Sequence, residues 1–175
     1  MSLDFISSKI AAVQDFPKKG IVFRDITPLL ADPNGLKEVS LCLVGEIKKR
    51  GLQPTIIAGA ESRGFIFGVA LAEMLGLGFV PIRKPGKLPR ETYSVSYELE
   101  YGKDTLEIHK DAFKKDDRVL IVDDLLATGG TAKAAAELVE KAQAKVEALM
   151  FVIELDGLNG RKKLENYNIA SLLSF

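Results

Sequence analysis

Hydrophobic and polar positions along the chain change their spacing in a way that predicts alternating strands and helices. Runs of branched apolar residues predict buried strands at residues 55–61, 78–83, 118–124 and 145–155. Helical spacing follows the first of these strands over residues 63–76 and the third over residues 131–144. Strands that alternate with helices indicate an α/β fold built on a mainly parallel open sheet flanked by helices.

Three further segments complete the predicted elements. Residues 3–13 have apolar side chains at helical spacing, whereas residues 20–30 show no regular pattern. A helix is predicted to start after Asn34 and to stop at Gly51. Residues 93–108 alternate with a period of two on both sides of a glycine, which predicts a hairpin at the edge of the sheet or a flap over it.

The composition limits the functional classes to which the protein can belong. A chain of 175 residues with 24 basic and 24 acidic side chains is expected to form one domain, 1–175, without a net charge that attracts nucleic acid or a membrane. Its single cysteine, Cys42, excludes an intrachain disulfide framework and is expected to be a small buried residue. The first residues lack the pattern of a signal peptide, so we expect a cytoplasmic protein.

The run VLIVDDLLATGGT, residues 119–131, joins a buried strand to a helix through an unusual turn. Asp123 and Asp124 repel each other unless hydroxyls, a cation or water share the charge. The two glycines favour a turn whose amides close around an anion at the positive end of the next helix. The pattern therefore predicts a phosphate site formed by Ala127, Thr128, Gly129, Gly130 and Thr131.

The two aspartates extend this prediction to a sugar. Carboxylates suit the hydroxyls of a ribose or the outer shell of a hydrated divalent cation, and they repel a phosphate. A phosphate site beside such acids indicates a phosphorylated ribose as the ligand. The alternative is an ordinary tight turn capped by Thr128, with Asp123 and Asp124 on the surface.

Basic side chains follow two other predicted strands in the sequence. Arg63 comes after the strand at 55–61, and its guanidinium can fork onto phosphate oxygens. Arg83, Lys84 and Lys87 come after the next strand. Ligands of open α/β sheets bind beyond the carboxyl ends of the strands, so we expect these cations near the phosphate site. The alternative for the loop is a set of solvated charges.

Two further residues are candidates for binding a flat base and for transferring a proton. Phe23, beside Arg24, offers an aromatic face for a flat base, or it is an ordinary core residue. Glu100 lies in an alternating segment, where it is either a solvated side chain or a carboxylate that moves a proton on the base.

With these segments assembled, the chain resembles the adenine phosphoribosyltransferases, within the type I phosphoribosyltransferase family. The strand, the two aspartates and ATGGT match the family signature for 5-phosphoribosyl-1-pyrophosphate (PRPP). The segments FPKKGIVFRDITPLL, GAESRGFIFG, PIRKPGKLP and SVSYELEYGKDTLEIHKDA are similar to those of the adenine enzymes. The resemblance covers residues 10–161, and the tail after them carries little signal.

The resemblance implies a fold and a reaction. The fold is that of a type I phosphoribosyltransferase, with a flexible hairpin and loop forming a hood, and residues 1–30 contribute to the part of the hood that binds the base. The reaction transfers the 5-phosphoribosyl group of PRPP to adenine and gives AMP and pyrophosphate, a purine salvage step. Mg²⁺ is carried by PRPP without direct protein ligands, and the enzyme is a homodimer.

The resemblance also implies roles for the candidate residues. Arg63, Lys84 and Lys87 contact pyrophosphate, while Arg83 is a pyrophosphate-site residue that reaches into the site of the neighbouring subunit. Glu100 is the general base, and Tyr101 and the basic loop close over the substrates. A cis peptide between Glu61 and Ser62 also belongs to this pattern. Adenine is bound by Phe23, by the backbone of Val22 and Arg24, and by Leu155.

Three alternatives to this reaction remain at the level of sequence. A regulator on the same fold could sense PRPP or a nucleotide without chemistry, although this chain keeps the cations and the acid. A phosphoribosyltransferase for another base is the nearest enzymatic alternative. A receiver-like phosphorylation switch also places acids at strand ends around Mg²⁺, but ATGGT and ESRG have no role there.

Overall fold

A computed structural model of the protein describes residues 3–98 and 102–175. The helices are α1 (Leu3–Ser8), α2 (Thr27–Ala31), α3 (Gly35–Lys49), α4 (Arg63–Leu75) and α5 (Gly130–Lys141). The strands are β1 (Ala11–Gln14), β2 (Val22–Asp25), β3 (Ile56–Ala60), β4 (Gly78–Ile82), β5 (Thr92–Glu98), β6 (Lys103–His109), β7 (Arg118–Leu126), β8 (Lys145–Glu154) and β9 (Ile169–Ser174). Two short 3₁₀ turns, Asp156–Leu158 and Gly160–Leu164, connect the last two strands.

The central sheet has five strands in the order β4-β3-β7-β8-β9, and every neighbouring pair is parallel. This confirms the predicted α/β fold and its mainly parallel sheet. The sheet is covered on both faces, as the side chains of β7 illustrate. Leu120 and Val122 pack into a core with α3 and α4, whereas Val119 and Ile121 pack into a second core with α5. A strand buried on both faces is apolar at consecutive positions, which explains the run that begins the phosphate motif.

The predicted hairpin is a separate two-stranded antiparallel sheet, β5 with β6. Arg83, just after β4, exchanges two backbone hydrogen bonds with Glu107 of β6, at 2.9 and 2.7 Å. Val95 and Leu106 turn inward and join the core around α5. The hairpin is therefore attached beside the edge strand β4 and packs over the helix that follows the phosphate motif.

The amino-terminal predictions need correction. The helix predicted over residues 3–13 ends at Ser8, and Val13 lies in β1 opposite Phe23 of β2. Residues 20–30, predicted to be irregular, contain β2 and α2. Backbone pairing between two short segments decides this region, and apolar spacing does not reveal such pairing.

The remaining boundaries differ less from expectation. The helix predicted after Asn34 is present as α3, and Gly51 follows it with a φ of +64°. The structure adds β9, an edge strand beside β8 that the sequence pattern does not predict. No helix in residues 3–98 or 102–175 is long and apolar enough to cross a membrane.

Candidate active site

A cavity of about 370 Å³ opens at the carboxyl ends of β3 and β7. One wall is the turn after β3, residues 61–63, and the other runs from the end of β7 into the start of α5, residues 123–132. Two of the three strand ends that the sequence singled out therefore lie together. This is the expected position for a ligand of an open parallel sheet.

The loop between β7 and α5 has the shape of an anion site. Gly129 precedes the helix with a φ of +78°, a left-handed conformation that glycine adopts without strain. The backbone then enters α5 at Gly130, and the amide of Lys133 donates to the carbonyl of Gly129 at 3.0 Å. The first amides of a helix have no partners within the helix, so those of the loop and first turn are available to an anion in the cavity.

The two threonines of this loop have different surroundings. Thr128 is exposed at the cavity, whereas the Thr131 hydroxyl donates to the Tyr97 hydroxyl at 3.2 Å. Tyr97 comes from β5 and also donates to Asp104 of β6 at 3.2 Å. The hairpin is therefore connected to the phosphate loop by hydroxyl groups. Sequence reasoning did not single out Tyr97, although its alternation with Val95 indicates that both face inward.

The acidic pair is held by a cation and by backbone. Asp124 is 5% exposed and forms an ion pair with Arg63, whose Nε lies 2.9 Å from Oδ2 of Asp124. Asp123 accepts the amide of Asp124 at 2.9 Å. A Cβ on Gly64 would lie 2.9 Å from Oδ1 of Asp123, so only glycine lets the turn after β3 pack this closely. The predicted need for a counter-charge is met by Arg63.

Both aspartates are harder to ionise than an ordinary carboxyl. Burial and the adjacent Asp124 carboxylate raise the pKa of Asp123 well above its usual value. Burial also raises the pKa of Asp124, while the Arg63 guanidinium opposes that rise. The pair carries more negative charge than its surroundings readily solvate, which suits it to hydroxyl donors or to a cation.

The basic loop presents cations that already have acidic partners. Arg83 donates through Nε to Glu61 in the cavity wall, and Lys84 pairs with Asp104 of the hairpin. Burial raises the pKa of Glu61, but the hydrogen bonds from Arg83 and from the Lys84 amide, together with the nearby positive charges, leave the pKa below its usual value. The Glu61–Ser62 peptide is cis, as the resemblance implies. Arg83, Lys84 and Lys87 are not among the residues that line the cavity.

The candidate base residues border the same region without forming the cavity wall. Phe23 packs edge-on against Phe16, with ring centroids 5.2 Å apart, and the Arg63 guanidinium lies 6.0 Å from its ring. The Arg24 guanidinium lies 4.1 Å from the ring of Phe175. Arg63 thus lies between the aromatic residue and the acidic pair.

Leu155 and Val22 complete the residues predicted for the base. The half-buried Leu155 follows β8, and its amide donates to the carbonyl of Leu126 at 2.9 Å, directly before the phosphate loop. Val22 is exposed at the start of β2. Glu100 and Tyr101, the predicted base and hood residues, lie outside the residues that the structure describes.

The chain is also similar in sequence to known proteins. Residues 26–172 match the phosphoribosyl transferase domain family. The chain is 70% identical to the adenine phosphoribosyltransferase of Francisella tularensis subsp. tularensis over 175 residues, all of both chains.

The chain belongs to the adenine phosphoribosyltransferase family.

Solved structures of this family have the same fold. The adenine phosphoribosyltransferase of Thermoanaerobacter pseudethanolicus is 53% identical, with a TM-score of 0.95 over 99% of this chain and 100% of that one. The Saccharomyces cerevisiae enzyme, solved with adenine and an imino-altritol bisphosphate, is 41% identical, with a TM-score of 0.93 over 97% of each chain. The resemblance stated from the sequence motifs is confirmed, and with it the phosphoribosyltransferase fold.

Proposed function

We propose that this chain transfers the 5-phosphoribosyl group of PRPP to adenine, giving AMP and pyrophosphate in purine salvage. The observation that carries the proposal is the shared cavity, in which the helix terminus at residues 129–130 faces the pair Asp123 and Asp124. Full-length identity of 70% to an adenine phosphoribosyltransferase supports the choice of base.

The 5-phosphate is bound by the amides of residues 127–131 with the Thr128 hydroxyl. Each hydrogen bond to a charged acceptor contributes roughly 1.5 to 3 kcal/mol, whereas the helix dipole alone contributes about 0.3 to 1 kcal/mol. The amide cradle therefore provides most of the binding. The left-handed Gly129 supports this role, because it turns the chain tightly at the start of α5.

The ribose hydroxyls donate to Asp123 and Asp124. PRPP arrives as its Mg²⁺ complex, and two carboxylates, one of them paired with Arg63, suit the outer shell of that hydrated ion. When bound with PRPP, Mg²⁺ would offset the charge of the departing pyrophosphate. The raised pKa of each aspartate supports the assignment. Buried carboxylates lack water as a hydrogen-bond donor, so the hydroxyl groups of the ribose stabilise their ionised form.

Pyrophosphate is bound by Arg63 and by Lys84 and Lys87 of the basic loop, with Arg83 reaching the site of a second subunit. As pyrophosphate leaves, positive charge develops on the ribose, and we assign its stabilisation to the paired aspartates. A homodimer is part of this proposal. The exposed apolar side chains along one stretch of α4, Ile66, Val69 and Met74, support it.

Adenine lies against Phe23, read by the backbone of Val22 and Arg24 and covered by Leu155. The position of Arg63 between Phe23 and Asp124 supports this placement, because it connects the base side and the ribose side of one site. Glu100 accepts the proton that adenine loses, while Tyr101 and the loop exclude water. The balanced charge and the free Cys42 support a cytoplasmic location.

The test is to incubate the protein with PRPP, Mg²⁺ and each purine or pyrimidine base in turn, and to identify the nucleotide by mass. Adenine is expected to yield AMP and pyrophosphate in equal amounts. A nucleotide of another base would change the substrate, and no nucleotide with any base would support a sensor on the same fold.

A further inference from the structure

The phosphate loop is in direct backbone contact with a segment that the proposed mechanism does not use. A Cβ on Gly160 would lie 2.3 Å from the carbonyl oxygen of Ala127, and a Cβ on Gly129 would lie 2.5 Å from that of Gly160. Contacts this short leave no room for a side chain on either glycine. The 3₁₀ turn Gly160–Leu164 therefore supports the loop from behind.

The turn is held in place by a forked ion pair. Arg161 donates through Nε and a terminal nitrogen to the two carboxylate oxygens of Glu154, at 2.7 and 2.6 Å. The Ser171 hydroxyl donates to the same carboxylate at 2.7 Å. Glu154 is 7% exposed, and the Arg161 hydrogen bonds lower its pKa, so the pair remains ionised.

The ion pair is anchored to the strand that delivers the loop. Glu154 is the last residue of β8 and lies in register with Leu126, the last residue of β7. The next amide, that of Leu155, donates to the Leu126 carbonyl at 2.9 Å. Contacts thus close a ring from Leu126 through the loop to Gly160, then through Arg161 and Glu154 back to Leu126.

We propose that Gly160, Arg161 and Glu154 are positioning residues that set the phosphate loop for the 5-phosphate. Glu154 and Arg161 line a separate cavity and are not among the residues that line the site described above. The proposal rests on the phosphate-loop assignment under the proposed function. It predicts that disturbing the ring weakens binding of the 5-phosphate and spares the pyrophosphate side.

The experiment compares two competitive inhibitors of the full-length enzyme, ribose 5-phosphate and inorganic pyrophosphate. Arg161→Lys keeps the charge but loses the forked geometry, and Gly160→Ala forces the loop outward. We expect the inhibition constant for ribose 5-phosphate to rise about tenfold in Arg161→Lys, as for one mispositioned charge-assisted hydrogen bond. The constant for pyrophosphate is expected to stay within about twofold, since its cations lie elsewhere. Lys162→Met, at the exposed next residue, is the matched control.

Each outcome decides between explanations. If Gly160→Ala does not fold, Arg161→Lys and Glu154→Asp carry the test. Equal weakening of both inhibitors, or no change in either with an unaltered melting temperature, overturns the positioning role. The double variant Thr128→Val/Thr131→Val tests the loop itself. If it alone weakens binding of ribose 5-phosphate, only the role of the ring is overturned; if it also leaves that inhibitor unaffected, the hydroxyl contact at Thr128 is overturned too. Formation of AMP from adenine and PRPP tests the proposed function separately.

Discussion

Nε of Arg63 lies 2.9 Å from Oδ2 of Asp124, so the start of α4 is joined to the end region of β7 across the mouth of the cavity. Arg63 is 38% exposed and Asp124 only 7%, in terms of their side chains. The arginine therefore keeps one side open to a ligand while it neutralises the buried acid. One cation thereby organises both the ribose and the pyrophosphate side of the proposed site.

The variant Asp124→Asn separates the use of PRPP from the binding of adenine. The variant loses the charge that holds Arg63 and the proposed acceptor for a ribose hydroxyl. We expect kcat/KM for PRPP to fall about 10- to 100-fold, as for one charge-assisted hydrogen bond, with adenine affinity within about threefold. Steady-state kinetics and adenine titration measure the two effects. Asp116→Asn, at an exposed site, is the control, and equal losses for both substrates would refute the ribose assignment.

The pH dependence of stability follows from Asp123. Its pKa in the folded protein is raised by burial and by Asp124, so the folded state binds the proton more tightly than the unfolded state. Between the unfolded and folded pKa values, lowering the pH therefore stabilises the wild type relative to Asp123→Asn. Denaturant unfolding of both proteins across this window measures the difference. A difference that is independent of pH would contradict the raised pKa.

Glu100→Ala tests proton transfer. General acid–base groups contribute typically 10²- to 10⁴-fold, so we expect kcat to fall by about this factor while PRPP affinity remains nearly unchanged. Single-turnover kinetics and PRPP titration separate these quantities. Glu98→Ala, in the same alternating segment, is the matched control. Unchanged turnover in Glu100→Ala would remove this residue from the mechanism.

Tyr97→Phe tests the connection between hairpin and loop. The variant removes the hydroxyl that joins Thr131 to Asp104 but keeps the ring. A net hydrogen bond contributes about 0.5 to 1.5 kcal/mol, so we expect KM for PRPP to rise about two- to tenfold. Tyr93→Phe, on the same strand, serves as the control. If both variants behave alike, the hydroxyl contact has no part in binding PRPP.

Gly129→Ala separates backbone strain from close packing. The left-handed conformation alone costs about 1 to 2 kcal/mol, which Gly51→Ala measures because that position has a φ of +64° and open space around it. At Gly129 the new methyl group also meets the Gly160 carbonyl. We therefore expect a larger loss of unfolding free energy than at Gly51, measured by denaturant titration. Equal losses would show that the contact with Gly160 is easily relieved.

Sequence patterns predicted the parts of the fold that one segment specifies alone. Strands buried on both faces are apolar throughout, and α4 ends at the left-handed Gly76, so these elements were evident. β9 was missed because its sequence, IASLLS, does not alternate apolar and polar side chains, and the strand depends on pairing with β8. The helix predicted at residues 3–13 failed for a similar reason, since β1 exists only through its pairing with β2.

The candidate site was likewise predicted only in part from the sequence. Clusters of acids, glycines and cations at strand ends were visible in the sequence, because the topology of a parallel sheet brings those ends together. The choice of partners was not visible. That Arg63 pairs with Asp124, and that Gly160 contacts the phosphate loop, depends on distances between segments far apart in the chain.

The pairing of Arg63, Arg83 and Lys84 with acids has a consequence for how the protein selects its ligand. A polyanion that arrives at this surface meets neutralised cations, so it must displace Asp124, Glu61 and Asp104 from them to bind. A ligand that brings hydroxyl groups or its own metal ion compensates the released carboxylates and so favours that exchange. On the proposed function, the resting arrangement of charges therefore favours PRPP and the Mg²⁺ complex of pyrophosphate over a metal-free polyphosphate.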